Sequence, residues 1–381
     1  MKITKIFNHF FESEKAGGII LIFCTVVSLA ISNSAFGSNY LNLWHYHIGK
    51  YSIEHYINDG LMTVFFLLIG LELEREIYKG ELSTLKNGLL PLSAALGGMI
   101  IPALLFFYLN FGLQTQSGFG IPMATDIAFA IGILSLLGKR VPSSLKIFLT
   151  ALAVIDDLGA ILIIAIFYTK NLIWSNLFIS LSIFVILLLL NKLKIKNLIP
   201  YLIGGIIMWY FMLNSGVHAT ITGVLLAFAI PFGKGISKSP SSTLQKLLHK
   251  PVAFFILPLF ALANTAIIIK SGWENALLER YSLGIALGLI LGKPIGITLF
   301  SYLSVKLKVC TLPDDVNWKS ILGVSFLGGI GFTMSIFITL LAFSDDTHIN
   351  NSKIMILIAS LTAGSLGFIF LKLTLKNKTY N

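Results

Sequence analysis

Residues 151–164, ALAVIDDLGAILII, put two adjacent carboxylates, Asp156 and Asp157, inside an apolar run that extends from Leu145 to Tyr168. A run of that length crosses a bilayer as a helix. The pair then lies near mid-depth, where a single carboxylate costs roughly 2.5–3.5 kcal/mol to insert. Carboxylates kept at that cost mark ion or proton pathways by default; a helix cap or a polar contact between helices is the plainer reading. Neighbouring residues on a helix point about 100° apart, so Asp156 and Asp157 do not share one face. One can meet a cavity while the other meets a neighbouring helix.

The rest of the chain has the same character. Of its 381 residues 56% are hydrophobic and only 12% are charged, and its mean hydropathy is +0.86. Soluble domains carry about a quarter charged residues, so this is a polytopic membrane protein with no large soluble domain. No signal peptide with a cleavage site precedes the first apolar run, so the N-terminus is expected to be retained. Two cysteines, Cys24 and Cys310, are too few for a disulfide framework or a cysteine-based metal site. The net charge of +11 comes from lysines scattered between apolar runs, which carries topology information and gives no sign of nucleic acid.

Twelve spans are read near residues 15–33, 58–76, 88–110, 120–137, 143–168, 173–191, 198–213, 216–232, 250–270, 281–304, 320–342 and 353–374, joined by polar connectors such as Lys192–Asn197 and Gly233–Lys250. With the N-terminus inside, 22 of the 28 Lys and Arg residues fall on the cytoplasmic side and five on the other, leaving Lys293 inside a span. The positive-inside rule then puts both termini in the cytoplasm. Residues 1–14, MKITKIFNHFFESE, read as a short helix on the cytoplasmic interface. Residues 43–57, LWHYHIGKYSIEHYI, read as a β-hairpin outside the membrane, turning at Gly49-Lys50. Its histidines, His45, His47 and His55, are expected to be plain surface polar groups.

Two spans look interrupted. The fourth contains SGFGIPMATDIAFA, with Gly118, Gly120, Pro122 and the pair Thr125-Asp126; the eleventh contains LGGIGFTMSIF, with Gly328, Gly329 and Gly331 ahead of Thr333. Non-helical backbone at membrane depth persists only where it lines a cavity or is buried in protein. Paired interruptions in two halves point to the binding site of a secondary transporter, with spans 3–5 and 10–12 as matched units. The intramembrane ionisable residues are Asp126, Asp156, Asp157 and Lys293. A buried ammonium needs a carboxylate beside it, and Asp156, Asp157 and Asp126 are all candidates for Lys293. Carboxylates, Thr125 and freed carbonyls suit a hard monovalent cation, Na⁺ or Li⁺, beside a proton acceptor. If cation and protons compete for those carboxylates, a site facing alternate sides runs as an antiporter.

Six motifs, GLELERE (70–76), IPMATDIAFA (121–130), ALAVIDDLGAI (151–161), SGVHATITG (215–223), LGKPIGI (291–297) and GIGFTMSIF (329–337), together resemble the NhaA family of bacterial Na⁺/H⁺ antiporters. The resemblance implies one transporter domain of twelve helices, with an inverted three-helix repeat over 88–168 and 281–374 and two crossing broken helices. It implies electrogenic, pH-regulated exchange of Na⁺ or Li⁺ for protons in the bacterial inner membrane. Asp156 and Asp157 are implied as the cation and proton carriers, Asp157 the more direct ligand, with Asp126 and Thr125 at the fourth-span break. Lys293 is implied to pair with Asp156, and Gly329, Gly331 and Thr333 to form the eleventh-span break.

The same resemblance implies a homodimer through the 45–57 hairpin and a pH-sensing group of Glu72, Arg75, Glu76 and His249. On the residues alone, Glu72 and Glu76 form an i,i+4 acidic pair around Arg75, which serves equally as a proton sensor or a solvated helix end. The chain departs from the family pattern at Gln245 and Lys246, where two titratable groups are missing, so the pH set point is expected to differ. No cofactor is called for, and the partners expected are Na⁺, Li⁺, H⁺ and the lipid bilayer. An organic-solute transporter would want mid-span arginines, and there are none. An intramembrane aspartyl protease, the enzymatic alternative, needs two carboxylates facing each other, which adjacent residues on one helix do not supply.

Overall fold

The computed structural model describes residues 14–83, 85–169, 172–233, 239–269 and 272–375. Residues 1–13 of the expected interfacial helix lie outside the described residues, and Glu14 already opens the first helix. The described chain is mostly helical, as high hydropathy requires: in hydrocarbon only a helix or a closed barrel satisfies every backbone group internally.

In chain order the main helices are α1 (Glu14–Ser32), α2 (Gly37–His45), α3 (Ile53–Lys79), α4 (Leu85–Leu109), α5 (Ile127–Leu136), α6 (Ser143–Phe167) and α7 (Trp174–Lys192). Then come α8 (Ile199–Leu213), α9 (Ile221–Ala229), α10 (Pro240–Asn264), α11 (Arg280–Lys306), α12 (Trp318–Gly328), α13 (Phe332–Ala342) and α14 (Asp346–Thr374). Seven of these are long and apolar enough to cross a membrane alone, or up to ten spans if each of three bent pairs counts as one. Two of those pairs are the Gln114–Met123 3₁₀ turn with α5, bent 41°, and α12 with α13, bent 46°.

Several expected boundaries move. The hairpin is only two residues per strand, β1 (His47–Ile48) and β2 (Tyr51–Ser52), with Gly49 at φ +69° in its turn. Residues 43–45 belong to α2 and 53–57 to α3, because Ser52 caps the following helix through the backbone N–H of His55. The polar connector 233–250 is helical from Pro240, where Ser239 accepts from Ser242 N and proline takes the first helical position. The eighth span shrinks to α9, since residues 214–220 form turns with Gly216 at φ +88°. Residues 120–123 of the fourth span are 3₁₀.

The chain divides into two compact units. One contains residues 30–83 and 161–266. Its core is built from Leu67 and Leu71 of α3, Leu187 of α7, Tyr201 and Met208 of α8, Leu226 and Ala227 of α9, and Leu244 of α10. The other contains residues 1–29, 84–160 and 267–381, and so all four intramembrane ionisable residues. Within it α4 and α11 approach with backbones almost touching: a Cβ on Gly97 or Gly296 would run into the carbonyl of the other. Small residues allow such approach where apolar side chains gain nothing over lipid. Immediately before Lys293, α11 loosens into a π turn at Gly288–Gly292. Pro294 supplies no backbone N–H, so the regular ladder cannot continue through this point.

Candidate functional site

Every side chain of the site is positioned by elements of the second unit. Helix α6 has 25 residues, about 37 Å at 1.5 Å each. Asp156 and Asp157 sit near its midpoint, both fully buried. Lys293, also fully buried, opens the α-helical part of α11 after its π turn. Its Nζ lies 2.5 Å from Asp156 Oδ2 and 2.8 Å from Thr125 Oγ1. Thr125 Oγ1 in turn stands 2.8 Å from Asp156 Oδ2 and 2.8 Å from the carbonyl oxygen of Gly328, the last residue of α12. Asp156 Oδ1 is buried and makes no hydrogen bond among the described residues.

The two breaks meet here. The extended link 124–126 follows the 3₁₀ turn Gln114–Met123, and residues 329–331 separate α12 from α13. Asp126 N–H donates to Ile330 O at 2.6 Å. Its Oδ1 accepts from Phe129 N–H, capping α5, and its Oδ2 accepts from the backbone N–H and the hydroxyl of Thr333 at the start of α13. One carboxylate therefore serves two helix N-termini, where aligned peptide dipoles favour negative charge. Gly329 and Gly331 have ordinary negative φ, −75° and −93°. Glycine is needed at 329 for closeness: a Cβ there would strike the Leu289 carbonyl in the π turn of α11.

The structure thus brings together Thr125, Asp156, Lys293 and the Gly328 carbonyl, and places Asp126 with Thr333. Asp157 is one residue along α6 from Asp156. The four remaining candidates belong to the first unit. Arg75 Nη2 is 2.9 Å from Glu76 Oε1, and His249 Nδ1 is 3.9 Å from Glu72 Oε1, an ion-pair distance beyond hydrogen bonding. Gln245 hydrogen-bonds Glu72, while Lys246 is exposed. His218 Nε2 is 3.1 Å from Tyr168 O.

Three groups escaped the sequence. The carbonyls of Gly328 and Ile330 carry no side-chain signal, so only the meeting of the breaks reveals them. Glu74, between the acids singled out at Glu72 and Glu76, is buried and accepts a hydrogen bond from Ser241 at 2.7 Å. Its spacing from Leu67 and Leu71, three and seven residues back on the core face of α3, was the available signal.

Bundled helices with buried carboxylates and an ammonium at two helix breaks define a polytopic membrane protein built around a charged intramembrane site. The sequence matches the family described as Na⁺/H⁺ antiporter 1 over residues 8–371, and the chain belongs to that family. It is 69% identical over 377 residues to the Na⁺/H⁺ antiporter NhaA of Flavobacterium psychrophilum, covering 99% of this chain and 98% of that one. It is 63% identical over 372 residues to Na⁺/H⁺ antiporter NhaA 1 of Flavobacterium johnsoniae, covering 98% of each. With the Na⁺/H⁺ antiporter NhaA of Cytophaga hutchinsonii it shares 60% over 381 residues, all of this chain and 98% of that one.

Proposed function

We infer that this chain is a Na⁺/H⁺ antiporter, and that Asp156 and Asp157 carry the exchanged ions. The observation that carries the reading is the buried Asp156–Lys293 pair where two broken helices meet, with a second carboxylate next to it on α6. Asp156 Oδ1 has no hydrogen bond among the described residues, so an oxygen ligand is on hand for a small hard cation. Na⁺ and Li⁺ both suit that chemistry. Protonation of the same carboxylates removes the negative charge a cation needs, so the two ions exclude each other. A site that opens alternately to each side then exchanges them.

The exchange is electrogenic when more than one proton returns for each Na⁺ expelled. Each net charge moved gains about 2.3 kcal/mol per 100 mV, and that gain drives sodium out. Exchange is pH-regulated through Glu72, Arg75, Glu76 and His249, a reading supported by the approach of His249 to Glu72 on the polar end of α3. The spans number twelve when the 15-residue α8 and the nine-residue α9 join the ten candidates. Bends of 41° and 46° at the fourth and eleventh support an inverted repeat over 88–168 and 281–374. The protein resides in the bacterial inner membrane with both termini cytoplasmic, and pairs as a homodimer through its hairpin. Gln245 and Lys246 displace its pH threshold.

The test is collapse of a pH gradient in everted membrane vesicles on adding NaCl, LiCl or KCl, from about pH 6.5 to 9, beside Asp157→Asn. A Na⁺- and Li⁺-dependent response that the substitution abolishes, with K⁺ inactive, is expected. No response to any of the three cations in the wild-type protein refutes the reading.

A further inference from the structure

We propose that the Thr125 hydroxyl is a two-position switch, giving its one hydrogen either to Asp156 or to the terminal carbonyl of α12, and so coupling the ion load on Asp156 to the broken helix. The proposal rests on the antiport reading and deepens it. Thr125 Oγ1 has three partners at one distance, 2.8 Å: Lys293 Nζ, Asp156 Oδ2 and Gly328 O. A lysine ammonium has donors only, and a hydroxyl has one donor and two lone pairs. Lys293 therefore donates to Oγ1. One hydrogen remains for two acceptors.

Which acceptor wins depends on Asp156. A free carboxylate is the stronger acceptor, since charge-assisted bonds are roughly twice as strong as neutral ones. Once a cation or a proton occupies Asp156, that advantage goes and the hydrogen turns to Gly328 O. This carbonyl ends α12, where orphan acceptors need partners. The two carbonyls before it are already served, Phe326 O by Gly329 N–H and Leu327 O by Ile330 N–H.

The other bonds between the two breaks offer no such choice. Asp126 N–H goes to Ile330 O, and the Thr333 N–H and hydroxyl both go to Asp126 Oδ2. Asp126 thus clamps the two breaks together, and Thr125 adds a bond that exists in one loading state and not in the other. A ligand shifts a conformational equilibrium only through such a differential interaction.

Thr125→Val keeps the shape and removes the donor; Thr125→Ser keeps the donor. Initial rates in proteoliposomes as a function of Na⁺, and ²²Na⁺ binding to the purified protein, separate the possibilities. The valine variant is expected to lose about tenfold in maximal rate while binding Na⁺ no more weakly than wild type, because the unloaded carboxylate has lost its hydroxyl donor. The serine variant is expected to regain the rate to within about threefold. If valine raises half-saturating Na⁺ about tenfold at unchanged maximal rate, Thr125 is a cation ligand and the switch is wrong. A valine variant with wild-type rate and affinity overturns it as well. Thr125→Ala, which cannot clash, carries the same expectations should the valine protein not be recovered. Failure of the antiport reading looks different: the wild type itself then shows no Na⁺-driven exchange.

Discussion

Replacing Lys293 with methionine is expected to harm the fold more than replacing Lys293 and Asp156 together. Both groups are fully buried, 2.5 Å apart, and Thr125 holds each of them. Methionine is close to lysine in length and bulk, so little cavity forms. What remains in Lys293→Met is a buried carboxylate with its cation gone, a loss of about 3–5 kcal/mol. The converse Asp156→Leu strands a buried ammonium and is expected to cost about as much. Lys293→Met with Asp156→Leu removes both charges, and such replacements of a buried pair are often neutral or better. The cycle should therefore show a coupling of about 6–10 kcal/mol, the sum of the two single losses, far outside the roughly 0.5 kcal/mol scatter of independent sites. At about 2.1 cal/mol/K per residue, each kcal/mol moves the Tm of a chain of 381 residues by about 1.3 °C, so the single variants should melt roughly 4–6 °C low and the double variant near wild type. Size-exclusion recovery after heating of detergent-purified protein measures this. A Lys293→Met protein within about 1 °C of wild type would sink the reasoning, as would a double variant less stable than either single.

Two further predictions concern packing and pH. Gly296→Ala presses a methyl group onto the Gly97 carbonyl, backbone that cannot turn aside, and is expected to cost about 1–3 kcal/mol. Gly132→Ala meets only an ordinary contact at 3.7 Å from Gly18 Cα and should change stability by no more than about 0.5 kcal/mol in the same melting assay. Asp345 caps α14 by accepting the His348 backbone N–H, which holds its carboxyl below the usual carboxylate range. A carboxyl held low in the folded state adds stability that is present above its unfolded pKa and lost as pH falls through the folded one. Asp345→Ala should thus melt below wild type at neutral pH, and the gap should close as pH falls through the lowered carboxyl pKa. A gap that persists in acid would show that the cap acts by some means other than the charged carboxylate.

The helical membrane class was readable in the sequence because every span must satisfy its own backbone in hydrocarbon, and that requirement writes itself as long apolar runs. The runs at 143–168 and 173–191 match α6 and α7 to within two residues for this reason. Boundaries set by caps and turns were harder to read. The start of α10 at Pro240 hangs on Ser239, and the amphipathic first turns of that helix are polar enough to pass for a connector. The division into two units was invisible, since it depends on which apolar faces meet and lipid-facing and protein-facing residues look alike in composition.

By itself the sequence determined the expense of the site: Asp156, Asp157, Asp126 and Lys293 stand out because charge in hydrocarbon needs a reason. It left the partner of Lys293 open among three carboxylates, because residues 137 positions apart meet only through the packing of α6 and α11 against the two breaks. In the tertiary structure Lys293 reaches Asp156, the pairing the family resemblance implies; tertiary structure alone decided that Asp126 turns to two helix N-termini and that Thr125 touches the end of α12. Those contacts end on backbone carbonyls and N–H groups as often as on side chains. Every residue carries such groups, so no sequence pattern distinguishes the ones that are used.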